Sequence, residues 1–180
     1  MHLSSQEAKR LQTRELAIFA MLGSLMLLSK FIMQMVPNIH LLGLFIASTT
    51  LTFRFKALIP LYIFIFLDGL LGGFALWWVP YLYIWLPLWC AFMILGKANL
   101  SKKIKTPIYM LASGLHGLLF GVLYAPLQAL MFGLNFQGMI TWIIAGLPFD
   151  VIHAIGNTAT GILIEPLSAL LKRLNNREIA

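Results

Sequence analysis

The chain has 180 residues, of which 60% are hydrophobic and 11% charged, with a formal net charge of +7. A soluble domain carries roughly 25% charged residues, so the composition excludes an ordinary soluble fold. The sequence pI of about 9.8 does not indicate nucleic-acid binding, because the basic residues sit in short gaps between apolar runs rather than on one soluble face. The single cysteine, Cys90, lies in an apolar run; it excludes an intrachain disulfide and reads as a small buried hydrophobe.

A membrane-spanning helix needs about 20 apolar residues. The polar segment of about 1–13 shows no small-residue cleavage pattern, so the first run, about 14–36, reads as a retained helix ending before Pro37. The second, about 40–53, is short and is expected to be tilted, or irregular and sheltered by protein. The third spans about 57–78, the fourth about 80–97, the fifth about 107–132 and the sixth about 139–172. That last stretch is too long for one straight span. Gly146 and Pro148 predict a kink or break in it, and a tail of about 168–180 leaves the membrane. No repeat, low-complexity tract or linker divides the chain, which reads as one domain over 1–180.

The basic residues fix an orientation. Lys9, Arg10 and Arg14 precede the first run, Arg54 and Lys56 follow the second, Lys97, Lys102, Lys103 and Lys105 follow the fourth, and Lys172, Arg173 and Arg177 follow the last. The alternate gaps contain none, and of the 13 Lys and Arg only Lys30 lies inside an apolar run. Short loops rich in Lys and Arg stay on the cytoplasmic side. The expected fold is an all-α integral membrane bundle of six transmembrane segments with both termini cytoplasmic.

Small residues recur at close-packing spacing: Ala20 and Ser24 in the first helix, Gly69 and Gly73 in the third, and Gly114, Gly117 and Gly121 in the fifth. Such residues let helix backbones approach in lipid. The glycines read as internal packing. Ala20 and Ser24, on a first helix that is often peripheral, read as a face open to a partner.

Ionisable groups at membrane depth are costly and mark function by default. Here they are Lys30, Asp68, His116, Asp150 and His153. Asp150, His153 and Asn157 share a helical face, with Trp142 two turns earlier. His116, Phe120 and Tyr124 form a second stripe, which Gln128 extends outward. One reading makes these residues a satisfied packing network in which Asp150 pairs with His153 or His116. The other makes them a site. Lys30 either snorkels to the interface or points into an outward-facing cavity with Gln34. Trp77, Trp78, Tyr81, Tyr83 and Trp85 read as an aromatic belt, some of which lines that site. The sequence lacks HExxH, GxSxG and GxxxxGK, so it offers no zincin, no serine-hydrolase elbow and no nucleotide-hydrolysing loop. No metal-ligand spacing is present and no cofactor is expected.

Three segments carry a family resemblance: Ala20-Met-Leu-Gly-Ser24, the stretch Leu67-Asp-Gly-Leu-Leu-Gly-Gly-Phe-Ala-Leu-Trp-Trp78, and Gly146-Leu-Pro-Phe-Asp-Val-Ile-His-Ala-Ile-Gly-Asn157. With about six helices and no ATPase motif, the chain resembles the S component of energy-coupling factor transporters, the membrane subunit that captures vitamins and related micronutrients in prokaryotes. The resemblance implies a non-catalytic transport subunit in the plasma membrane, working with a transmembrane coupling subunit and two ATPases. It assigns docking to Ala20 and Ser24, where the family often has two alanines, and a substrate pocket to the outer half. Trp77, Trp78, Tyr81 and Trp142 would wall that pocket. His116, Gln128, Asp150, His153 and Asn157 would supply its hydrogen bonds. Lys30 would meet an acidic group. Asp68 and Asp150 favour an amine-bearing ring of the thiamine-type pyrimidine class, slightly preferred over pantothenate- or nicotinate-like acids. An intramembrane His/Asp enzyme and a structural or regulatory subunit are the competing classes.

The charge asymmetry yields a direct prediction. With Cys90 replaced, a single cysteine at position 102 should resist an impermeant thiol reagent added outside intact cells and react after permeabilisation. Labelling from outside would invert the topology.

Overall fold

The computed structural model describes residues 13–36 and 39–176. The N-terminal segment with Lys9 and Arg10, the turn at Pro37 and Asn38, and the end with Arg177 lie outside the described residues. Among those described, the fold is entirely helical. It comprises α1 (Thr13–Ile32), α2 (Leu42–Phe53), α3 (Leu58–Gly72), α4 (Tyr81–Ile84), α5 (Leu86–Leu95), α6 (Lys102–Leu118), α7 (Phe120–Phe132), α8 (Phe136–Gly161) and α9 (Ile164–Asn176), with 3-10 turns at Met33–Met35 and Arg54–Ala57.

Four helical stretches are long and apolar enough to cross a membrane: Thr13–Met35, Leu42–Gly72, Lys103–Phe132 and Phe136–Gly161. Their outward faces are as apolar as the core. On α1 alone Leu16, Met21, Leu25, Leu28 and Phe31 are exposed. A soluble monomer does not tolerate apolar surface on that scale, and the apolar helices mark a multi-pass membrane protein. Cys90 is exposed on this surface, against the sequence expectation of a buried side chain, because α5 turns that face away from its neighbours.

The breaks between helices have local causes. Arg54, at φ 57°, interrupts the 42–72 stretch, and Pro60 falls in the first turn of α3, where its missing N–H costs nothing. Gly133 ends α7 in the left-handed region at φ 64°, and the Leu134 N–H returns to the Ala129 carbonyl at 2.9 Å. Asn135 then caps α8 by accepting the Gly138 N–H at 2.8 Å. The expected break at Gly146 and Pro148 does not occur. α8 runs unbroken through Pro148, and the chain breaks at Ile162 and Leu163 instead. Pro166, which can neither donate to the Ile162 carbonyl nor fit against it, accounts for the break. The expected single fifth helix is likewise divided, at Leu119. The described part of the expected tail of about 168–180 belongs to α9. α9 packs on α2, with the Ser48 hydroxyl donating to the Ile164 carbonyl at 3.3 Å and Ser168 and Leu171 buried.

Contacts at one end show chain direction alternating along the bundle. Lys56 pairs with Glu15 at 2.7 Å, Arg14 donates to the Leu174 carbonyl at 3.0 Å, Arg54 donates to the Met93 carbonyl at 2.6 Å, and Lys105 lies 3.5 Å from Glu165. The basic clusters within the described residues therefore share one end. Lys102, Lys103 and Lys105 open α6, with no acidic residue in its first turn. That arrangement runs against the helix dipole, so helix stability does not explain it.

The closest interface joins α6 and α7 to α8. A Cβ on Gly117 would meet Ala154 backbone at 2.9 Å, one on Gly161 would meet the Met110 Cα at 2.8 Å, and one on Gly114 would collide with the Thr158 hydroxyl. This is small-residue packing as the glycine spacing implied. Gly69 differs: it makes room for Phe74 and Trp78 folding back on α3, and Gly73, at φ 85°, turns the chain. Gly117→Val should force α6 from α8 and lower the melting temperature in detergent, overpacking costing about 1–3 kcal/mol. Gly146→Ala, at a position with open space, is the control and should change little.

Candidate functional site

At the end opposite the basic clusters, α1, the start of α2, α4, α7 and α8 converge on a cavity of about 190 Å³ lined by Lys30, Met33, Gln34, Val36, Ile39, His40, Tyr81, Phe120 and His153. Each element delivers its residue for a local reason. Lys30 lies in the last turn of α1, where a cation suits the helix dipole. Tyr81 opens α4 directly after Pro80. His153 lies on the buried stripe of α8 with Asp150 and Asn157.

Lys30 neither snorkels outward nor stands alone. Its ammonium contacts both carboxylate oxygens of Asp68 at 2.7 Å, with the Asp68 side chain only 6% exposed. The same nitrogen lies 5.4 Å from the Trp77 ring centre and 5.2 Å from that of Tyr81, within cation–π range. One acid and two aromatic faces thus hold the ammonium at the cavity wall.

Behind the cavity lies a connected set of rings. His40 and His153 meet edge to face at 4.7 Å, Phe120 meets His153 at 4.9 Å, and Trp85 lies between His40 at 5.9 Å and His116 at 5.7 Å. His116 Nε2 is 2.9 Å from the Ile84 carbonyl and must donate to it, which leaves Nδ1 as a bare acceptor. His40 Nδ1, His116 Nδ1, His153 Nε2, Trp85 Nε1 and both side-chain polar atoms of Asn157 are buried without a hydrogen-bond partner. Native interiors leave few such atoms unpaired, and here they cluster.

The other sequence candidates lie around this centre rather than in it. Asp150 pairs with neither histidine. Its oxygens accept the Gly121 N–H at 3.1 and 3.2 Å, capping the start of α7 from across the interface. A Cβ on Gly121 would collide with that carboxylate. Asn157 lies one turn beyond His153 against Gly43. Trp142 stacks on Tyr124 at 5.8 Å, and the Tyr124 hydroxyl donates to the Trp77 carbonyl at 2.8 Å. Trp78 donates to the Ile65 carbonyl at 2.7 Å and acts as a brace for α3. Gln128 is half-buried on α7 and does not line the cavity. Ala20 and Ser24 are exposed on α1, while the intervening Gly23 packs on α3 at Ile63 and Pro60.

Sequence reasoning missed His40. Its only signal was a histidine beside the short second run, and it was read as a helix boundary. Asp68 as the partner of Lys30 was also missed, because no spacing rule links residues 38 apart. Among the described residues no group of three or more His, Cys, Asp or Glu is arranged to hold a metal ion. No family model, curated protein or solved structure matches the chain, so the geometry carries the functional argument.

Removing one partner of a fully buried ion pair costs about 3–5 kcal/mol, and less where one partner is 30% exposed as Lys30 is, whereas removing both is often nearly neutral. Lys30→Met should therefore lower the melting temperature sharply, and adding Asp68→Asn should restore most of the loss. Melting curves of the four proteins in detergent check this. Additive losses would mean that the two groups are uncoupled.

Proposed function

We propose that the protein is the substrate-capturing subunit of an energy-coupling factor type uptake transporter. It crosses a prokaryotic plasma membrane six times with both termini in the cytoplasm. The observation that carries this reading is the cavity opposite the basic clusters. It is lined by an ammonium, two imidazoles and aromatic rings, and it is backed by buried polar atoms without partners. A small polar or aromatic metabolite entering from outside would meet the Lys30 ammonium, the imidazoles of His40 and His153 and the rings of Tyr81 and Phe120 on the cavity wall.

Two further features support the assignment. The sequence has no nucleotide-binding loop, so uptake driven by ATP would require ATPase subunits and a coupling subunit between them and this chain. Ala20 and Ser24 lie exposed on α1, where a small-residue face admits close approach by a partner helix. Catalysis is less well supported. Asp68 is engaged with Lys30 and Asp150 with Gly121, so neither carboxylate orients an imidazole as a general base requires.

Mass spectrometry of the detergent-solubilised protein should identify one co-purifying small metabolite. His153→Leu should weaken its binding by about tenfold or more, since the loss of one buried hydrogen bond worth about 1.4 kcal/mol suffices. Ala20→Trp or Ser24→Trp should block co-purification with the coupling subunit while leaving metabolite binding intact. Loss of binding with retained assembly would show that face to be internal and overturn the assignment.

A further inference from the structure

We infer that the ligand is a single-ring metabolite bearing a carboxylate, with Lys30 as the residue that selects for it and Asp68, Trp77 and Tyr81 as the residues that position Lys30. The inference rests on the uptake reading above and adds what that reading leaves open, the charge and size of the ligand.

Size comes from the cavity. At about 190 Å³, it falls below the roughly 300–1,000 Å³ of pockets for drug-sized ligands. One ring with a short substituent matches that size. Shape comes from the walls, where Tyr81, Phe120 and the rings of His40 and His153 offer flat surfaces. His40 and His153 add two imidazoles to the wall, which gives a heteroaromatic ring polar as well as apolar neighbours.

Charge comes from the order in which the groups stand. Asp68 does not line the cavity, whereas Lys30 does. The pair therefore presents its positive end to the ligand, with the negative end behind it. Two of the three ammonium hydrogens point to the Asp68 oxygens. The third has no partner among the described residues. Trp77 and Tyr81 flank the ammonium and leave that hydrogen a restricted set of directions. A ligand cation would face this ammonium at close range with no acid on the cavity wall to offset it. A ligand carboxylate would gain a charge-assisted hydrogen bond. The box of one acid and two aromatic faces suits a cation, but the chain fills it with its own lysine. That arrangement excludes amines rather than recruiting them.

The test uses the full-length protein in detergent and three probes that share one ring and differ in charge: pyridine-3-carboxylate, pyridine-3-carboxamide and 3-(aminomethyl)pyridine. Isothermal titration should give the acid an affinity about tenfold or more above that of the amide, with no detectable binding of the amine. Lys30→Met alone strands Asp68, so the paired variant Lys30→Met with Asp68→Asn is the decisive one. It should remain folded and bind acid and amide to within about twofold of each other. The inference is overturned if the amine binds best, if acid and amide bind the native protein alike, if none of the three binds, or if the paired variant keeps the acid preference. A co-purified metabolite that is cationic or has two rings would also overturn it, yet leave the uptake reading intact. Failure to assemble with a coupling subunit would do the reverse.

Discussion

A charge placed among apolar helices must have a partner, and in this molecule the Lys30–Asp68 pair meets that constraint at the point where the bundle opens. Lys30 comes from the end of α1 and Asp68 from the body of α3, so the pair joins the two helices at that end. At the other end Lys56 and Glu15 join α1 to the turn before α3. The exposed pair contributes little by itself, since surface ion pairs are worth about 0–1 kcal/mol. The buried pair costs desolvation that only close geometry offsets. Two contacts at 2.7 Å and two flanking aromatic faces supply that geometry. The position of Tyr81, and with it one wall of the cavity, is tied to the same interaction.

The remaining walls depend on a second constraint, the close approach of α6 and α7 to α8. Without an aqueous driving force between lipid-embedded helices, contact requires backbones to meet. Gly114, Gly117, Gly121 and Gly161 provide the room. Asp150 uses this proximity to accept the Gly121 N–H, which stabilises the start of α7 where the chain breaks at Leu119. Because α7 restarts there, Phe120 reaches His153 and Tyr124 reaches Trp142. A residue that looks like a ligand contact by sequence is thus a helix cap, and its effect on the cavity is indirect.

Hydroxyls and ring nitrogens fare differently in the bundle, with Ser113, whose buried Oγ is unpaired, an exception among the hydroxyls. Near the basic end Thr49, Thr50, Thr52, Thr160 and Ser168 all bond to carbonyls one turn back. These hydroxyls are satisfied within their own helices and need nothing further. Around the cavity His40, His153, His116, Trp85 and Asn157 retain unpaired atoms in an equally buried setting.

The sequence alone determined what depends on composition and local periodicity. Apolar runs of spanning length, the alternation of basic gaps and the glycine spacing of the fifth helix are properties of neighbouring residues, and they gave the helical class, the shared end of the basic clusters and the small-residue interface. The stripe Asp150, His153 and Asn157 was legible for the same reason, since helical period places all three on one face. Tertiary structure alone decided which groups meet. It joined Lys30 to Asp68, brought His40 from beside a short helix to His153, gave Asp150 to a backbone amide, and drew Trp78, Trp142 and Gln128 away from the cavity. It also moved the break in the last long segment from Pro148 to the turn before Pro166. Partners far apart in the chain carry no local signal, and a proline inside a helix either bends or is absorbed according to what packs beside it. Those choices are settled by three-dimensional packing, where a buried polar group takes whatever partner the fold brings within reach.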